Sequence, residues 1–212
     1  MIKIIAIERE FGCNTNASAI AETLGKRLDW KVLDQTLTEE VARIAKVAQG
    51  VVEQREGCMD PFLYRLLKVF RCGSYQRALP VDGQEVLDAR RMIELVQKVV
   101  GEAAATGNCV IVGRGSAYFL RERTDTLRVF LFASREFKIR SLQTQTKSET
   151  KASELVDTVD HNRRAFVKHY FRVEWPYRPA YHAMLNSALG DDFVLATIQN
   201  LMDELNKKET SA

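Results

Sequence analysis

Three apolar runs constrain this chain more than any other feature: Ile4-Ile5-Ala6-Ile7, "CVIVG" from Cys109 and "LRVFLFA" from Leu127. A strand solvated on one face alternates apolar and polar residues, whereas a strand covered on both faces reads as a near-continuous apolar run. Segments of helical spacing lie between the runs. Ala19, Ile20, Leu24 and Leu28 form one apolar stripe, and Leu87, Met92, Ile93, Leu95, Val96, Val99 and Val100 form a longer one that ends at "TGN". Strands that alternate with helices predict an α/β fold with a parallel sheet flanked by helices.

The remaining text fits that frame. "WKVLDQ" predicts a second strand ending at Asp34, and "LTEEVARIAKVA" a helix after it. From residue 49 to about residue 83 glycines, prolines, cysteines and aromatics crowd together, which predicts a mostly helical insertion broken by turns. "RGSAYFLRER" predicts a turn and a helix, and "SREFKIRSLQ" a helix capped by Ser134 with Glu136 in its first turn. Helical text continues through "SELVDTVDHNRRAFVKHYF". The Pro-broken "EWPYRPAYHAMLN" runs into a last strand, and "DDFVLATIQNLMDEL" is a closing helix with Asp191 and Asp192 at its start. At 212 residues the chain suits a single domain, 1–212, that carries this insertion.

Composition gives no support to several classes. Apolar and charged fractions of 46% and 28% are those of a globular protein, and a net charge of +3 with acids and bases interleaved indicates no nucleic-acid stripe. Cys13, Cys58, Cys72 and Cys109 have no C-x-x-C spacing, which argues against structural zinc and suits a reducing, cytoplasmic setting. The apolar hexamer at the N-terminus is too short for a secretory signal, and no run reaches membrane-span length.

Three stretches can carry chemistry. Between the first strand and its helix lie Gly12, Cys13, Asn14, Thr15, Asn16, Ala17, Ser18 and Ala19, small residues whose backbone N–H groups at a helix start can bind phosphate. Thr15 or Ser18 could add a hydroxyl to phosphate or to hydrated Mg²⁺. An ordinary polar turn would read the same way, and the lysine of the G-x-x-x-x-G-K-[ST] pattern is missing. The second is Gly113-Arg114-Gly115, at the carboxyl end of a strand, where open parallel sheets bind ligands. Its arginine offers a planar fork for phosphate or carboxylate, unless it is a surface residue between turn glycines. The third is "DTVDHNRRAFVKHY". Asp157, Asp160 and Arg164 fall at helical offsets that allow weak surface ion pairs. Alternatively Arg163 and Arg164 close over a nucleotide and stabilise a transferred phosphoryl group. His161 and His169 lack ligand partners and read as surface or packing residues.

Taken together, "REFG", "WKVLDQ", "VIVGRGSAYFL", "LRVFLFASREFKIR" and "VDHNRRAFVKHYF" followed by "YHAMLN" resemble, in order and spacing, the cytidylate-kinase-like branch of the P-loop nucleoside monophosphate kinases. The resemblance implies a three-layer P-loop fold, a lid-like segment at 145–180, ATP with Mg²⁺ as cofactors, and nucleotides as small-molecule partners. By the same resemblance the residues from Gly12 to Ala19 would cradle donor phosphates, Asp34, Arg114 and Asp160 would face the acceptor, and Arg114, Arg163 and Arg164 would act in transfer. A homo-oligomer is compatible with these features.

The departures from bacterial cytidylate kinases fall at the site. Ala17-Ser18-Ala19 supplies no loop lysine, Gln35 and Thr36 follow Asp34 in place of Ser-Gly, Gly115 replaces an acid, and Val156 replaces the first lid arginine. Arg9, Arg114, Arg163 and Arg164 are the cations that could substitute for the lysine. Two functions follow: phosphoryl transfer from ATP to a nucleoside monophosphate or a related small acceptor, or nucleotide binding by a regulatory or structural protein without transfer activity.

Overall fold

In this computed structural model, residues 1–13, 17–34, 83–113 and 115–210 are described. The helix expected at "LTEEVARIAKVA" and the insertion expected at 49–83, up to residue 82, lie outside the described residues. The elements are β1 (Ile4–Arg9), α1 (Ala17–Leu28), β2 (Lys31–Leu33), α2 (Gly83–Thr106), β3 (Cys109–Val112), α3 (Ser116–Phe119), β4 (Thr126–Phe132), α4 (Arg135–Thr146), α5 (Glu149–Phe171), β5 (Ala183–Asn186) and α6 (Asp191–Thr210). Short 3-10 turns at Arg178–Ala180 and Ser187–Leu189 flank β5.

The five strands form one sheet in the order β2-β3-β1-β4-β5. Every pairing is parallel, with Ile4 opposite both Cys109 and Thr126 at the start of the central strand. The apolar runs occupy the middle of the sheet, as continuous burial requires. Strand parity then divides the core. Ile5 and Ile7 pack with Ile20, Leu24, Val194 and Ile198 of α1 and α6, while Ile4 packs on the other face with Val96, Val99 and Val100 of α2. Phe130, Tyr118, Val167 and Tyr181 extend that second face.

Local signals act where they were expected. Ser134 accepts a hydrogen bond from the Phe137 N–H at 3.2 Å and caps α4. Ser148 caps α5 in the same way, through Lys151 N–H at 3.3 Å. Asp191 and Asp192 occupy the first turn of α6. Because every strand runs in one direction, the loops after β1 through β5 share one edge, and Glu10–Gly12, Asp34, Gly113, Gly115 and Ser134 all stand there.

At the opposite end Arg128 is buried within β4. Its guanidinium donates to the carbonyls of Ala180, Leu120 and Arg123 at 2.8, 3.3 and 3.1 Å. Its own backbone N–H donates to His182 Nδ1 at 3.0 Å, and its Nη2 lies 3.1 Å from His182 Nε2. Burial first, and then the arginine's charge, hold the imidazole below its ordinary pKa. A depressed folded-state pKa means that the unfolded chain takes up this proton first. The contribution is therefore present above the unfolded value of about 6.5 and is lost as pH falls towards the folded value. Urea unfolding at pH 7.5 and pH 5.5 should show a drop in stability that is smaller for His182→Gln. Equal drops in both proteins would remove His182 as the cause.

Candidate active site at the carboxyl edge of the sheet

The turn after β1 is seated against α4. Gly12 has φ of +78°, and a Cβ added there would lie 3.0 Å from Leu142 Cδ1 and 3.1 Å from Lys138 Cβ. Both the backbone conformation and the space call for glycine. Cys13 follows, buried, with its Sγ 3.8 Å from the Leu131 carbonyl, and burial pushes its thiol above the usual range. It packs as a small apolar residue and not as a reactive thiolate. Asn14, Thr15 and Asn16 lie outside the described residues. Ala17 is buried at the start of α1, and Ser18 and Ala19 are half-buried beside it.

Ser18 faces across the loop. Its Oγ donates to Asp34 Oδ2, joining the first turn of α1 to the end of β2. The position expected to lack a lysine thus carries a hydroxyl already committed to a carboxylate. That contact places Asp34 beside the loop.

Beyond β3, Gly113 and Gly115 both take positive φ, +69° and +71°. Arg114, between them, lies outside the described residues. A Cβ on Gly115 would come within 3.2 Å of Phe171 Cζ, so the acid that the resemblance would place there is disfavoured by the positive φ and would require Phe171, packed on Tyr118 and Phe119, to give way. Glu8, at the end of β1, sits under this turn. Its Oε1 accepts from Ser116 Oγ at 3.3 Å and the carboxylate also receives the backbone N–H groups of Ala117 and Ser116. Burial raises its pKa, and the Arg163 guanidinium and these donors oppose the rise.

The third expected stretch lies on α5. Asp157 pairs with Arg135 of α4 at 2.7 Å, both groups exposed, and Asp160 pairs with Lys138 of α4, also at 2.7 Å. The helical offsets along Asp157, Asp160 and Arg164 are therefore not the pairing the fold uses: α4 lies alongside and offers cations first. Arg164 is exposed. Arg163 is half-buried, and its Nη1 donates to the Arg9 carbonyl at 2.6 Å, at the entrance to the loop. Burial and then the charge of Arg9 lower its pKa, while Asp160 and Glu8 support the cation. Val156, in place of the first lid arginine, is 1% exposed and packs with Ile139, Leu142, Ala152 and Phe11. A long charged side chain at that position would have to displace this apolar packing.

Lys138 and Glu10 were not among the residues expected at the site. The Lys138 ammonium is 3.0 Å from Glu10 Oε2 and 2.7 Å from Asp160 Oδ2, and Glu10 Oε2 also accepts from the Ala133 N–H at 3.3 Å. The sequence carries a trace of this arrangement. Lys138 precedes the apolar Leu142 by four residues, so it shares the buried stripe of α4. His161 and His169 are exposed, and among the described residues no cluster of His, Cys, Asp and Glu could hold a metal by itself. No helix among those residues is long and apolar enough to cross a membrane.

Among solved structures, the chain is similar to an uncharacterized protein from Eubacterium ventriosum, with a TM-score of 0.64 and 16% identity over 96% of this chain and 99% of that one. It is also similar to a shikimate kinase from Bacteroides thetaiotaomicron, with a TM-score of 0.51 and 15% identity over 96% of this chain and 98% of that one. At these identities the likeness is one of fold, the P-loop kinase arrangement of a parallel sheet between helices. No curated protein matches the chain. A sequence profile described as the cytidylate kinase-like family matches residues 4–189.

Proposed function

The chain belongs to the cytidylate kinase-like family, and from that premise we propose that it transfers the γ-phosphoryl group of ATP to a nucleoside monophosphate or a related small acceptor. The observation that carries the reading is the Ser18–Asp34 contact at the first turn of α1, which brings a hydroxyl and a carboxylate together where a helix start favours phosphate. Mg²⁺ takes hard oxygen donors and keeps several waters, and this pair is such a donor set. Ser18 and Asp34 would hold the ion, which would neutralise charge on the donor phosphates when bound. On this reading Asp34 serves the metal as well as the acceptor side.

Gly12 through Ala19 form the donor cradle in this proposal, and Arg163 supplies the cation that the loop lacks. Arg114 grips the acceptor through its fork, and Arg164 and Asp160 belong to the same lid-like segment at 145–180. Phosphoryl transfer depends on positioning and on positive charge around the moving group, so a cation delivered from α5 can replace one from the loop. A second reading, nucleotide binding without transfer, is favoured by one observation: Arg163 is tied to the Arg9 carbonyl.

A thermal-shift panel of nucleotides, with and without Mg²⁺, tests both readings. A ligand at 100 times its Kd adds about 2.7 kcal/mol to the folded state, a shift of several degrees. The kinase reading expects ATP to stabilise more with Mg²⁺ than without it, and ADP to form once an acceptor is added. Stabilisation without ADP formation would support the second reading. No shift with any nucleotide would remove both.

A further inference from the structure

We infer that Lys138, held between Glu10 and Asp160, is a positioning residue for the phosphate loop: the buried bridge registers α5, and Arg163 on it, against the loop entrance. The inference rests on the kinase reading and concerns how that site is assembled. Three elements meet at one ammonium. Glu10 lies two residues before Gly12, Lys138 belongs to α4, and Asp160 belongs to α5, with nitrogen to oxygen distances of 3.0 and 2.7 Å. Lys138 and Asp160 are only 5% and 6% exposed, so neither is a surface ion pair free to wander.

The Lys138 backbone participates too. Its carbonyl lies 3.4 Å from where a Gly12 Cβ would stand, so the residue that bridges the charges also forms the floor of the turn. On α5, Arg163 lies three residues beyond Asp160, on the same side of the helix, and reaches the Arg9 carbonyl. A shift of α5 relative to the loop would carry Asp160 and Arg163 together.

Charge gives the same result. Two carboxylates beside a phosphate loop would repel a triphosphate, and Lys138 cancels one of the two negative charges. Asp160 Oδ1 is buried with no hydrogen-bond partner among the described residues, and Asp160 supports the nearby Arg163 cation electrostatically. The remaining negative charge is thus matched by the arginine that the bridge positions. Lys138 does not touch the ligand in this account; it works through Arg163.

The test is a cycle read by Mg-ATP calorimetry, with melting temperatures alongside. Its members are the wild-type chain, Arg163→Ala, a triple variant (Glu10→Gln, Lys138→Met, Asp160→Leu), and the triple variant with Arg163→Ala added. Replacing the three charges together leaves no carboxylate facing a missing ammonium, Glu8 remains to support the Arg163 cation, and such whole-cluster replacements are often neutral for stability. Arg163→Ala should weaken Mg-ATP about tenfold in the wild-type background. The triple variant should be weakened about as much, and adding Arg163→Ala to it should change little, because residues acting as one unit are not additive. Wild-type affinity in the triple variant, or additive losses, would overturn the inference while leaving the kinase reading intact. A wild-type chain that does not bind Mg-ATP would overturn both. Should the triple variant melt far below wild type, the same cycle with the isosteric Asp160→Asn in its place decides by the same criteria.

Discussion

Lys138→Met alone is expected to destabilise the protein by about 3–5 kcal/mol, the usual cost of removing one partner from a buried ion pair. The substitution fills much the same volume, so the loss comes from charge and not from a cavity. Glu10 and Asp160 would then face each other with no cation between them. Burial by itself would lower the Lys138 pKa, but Asp160 and then Glu10 hold it above its ordinary value. A raised folded-state pKa places this contribution fully below the unfolded lysine value of about 10.4, with loss only as pH rises through the folded value, so it is present at neutral pH. In the variant, lowering the pH should restore part of the stability, since a protonated carboxyl no longer needs the cation. Urea titrations at pH 7.5 and pH 5 would show a gap between variant and wild type that narrows at the lower pH. A loss below about 1 kcal/mol would place this bridge with ordinary surface pairs.

Arg163→Ala is expected to slow phosphoryl transfer by about 10²–10³-fold, the size of effect that follows removal of one group stabilising developing charge. The loop contains no lysine between Gly12 and Ala19, so on the kinase reading the arginine at its entrance would take up that duty. Its effect on folding should be small by comparison. The hydrogen bond from Nη1 to the Arg9 carbonyl is charge-assisted, but burial and the like charge of Arg9 offset it, as the lowered arginine pKa indicates. The measurement is ADP formed with the acceptor that the nucleotide panel identifies, together with the melting temperature. Unchanged turnover would transfer the role to another cation. A fall in melting temperature that accounts for the lost turnover would make Arg163 a structural residue.

Much of the architecture follows from the order of residues alone. Apolar runs at Ile4, Cys109 and Leu127, separated by helical stripes, leave a parallel sheet covered on both faces as the arrangement that buries them all. Ser134 at the start of α4 and the two aspartates at the start of α6 are equally local, since a cap is decided by atoms within one helical turn. The shared edge of the loops is a consequence of parallel strands, so Gly12, Asp34 and the glycines flanking Arg114 could be expected at one place before any side chain was positioned.

Which charges meet at that edge was decided by tertiary structure. Helical offsets along "DTVDHNRRAF" set Asp157, Asp160 and Arg164 on one face, with Arg164 four residues beyond Asp160, yet the fold pairs the two acids with Arg135 and Lys138. Offsets describe contacts within a helix, whereas α4 approaches α5 closely enough to present cations to both acids. Glu10 and Lys138 are 128 residues apart in the chain, and Arg163 and Arg9 are 154 apart. No pattern of spacing links residues so distant; only the packing of α4 and α5 over the turn after β1 does. The same packing explains Val156, whose place belongs to a buried apolar contact, and Gly115, whose place is narrowed by Phe171. Backbone periodicity is a local property carried by each segment, but the pairing of buried charges depends on where helices cross the sheet, and that is settled when the whole core closes.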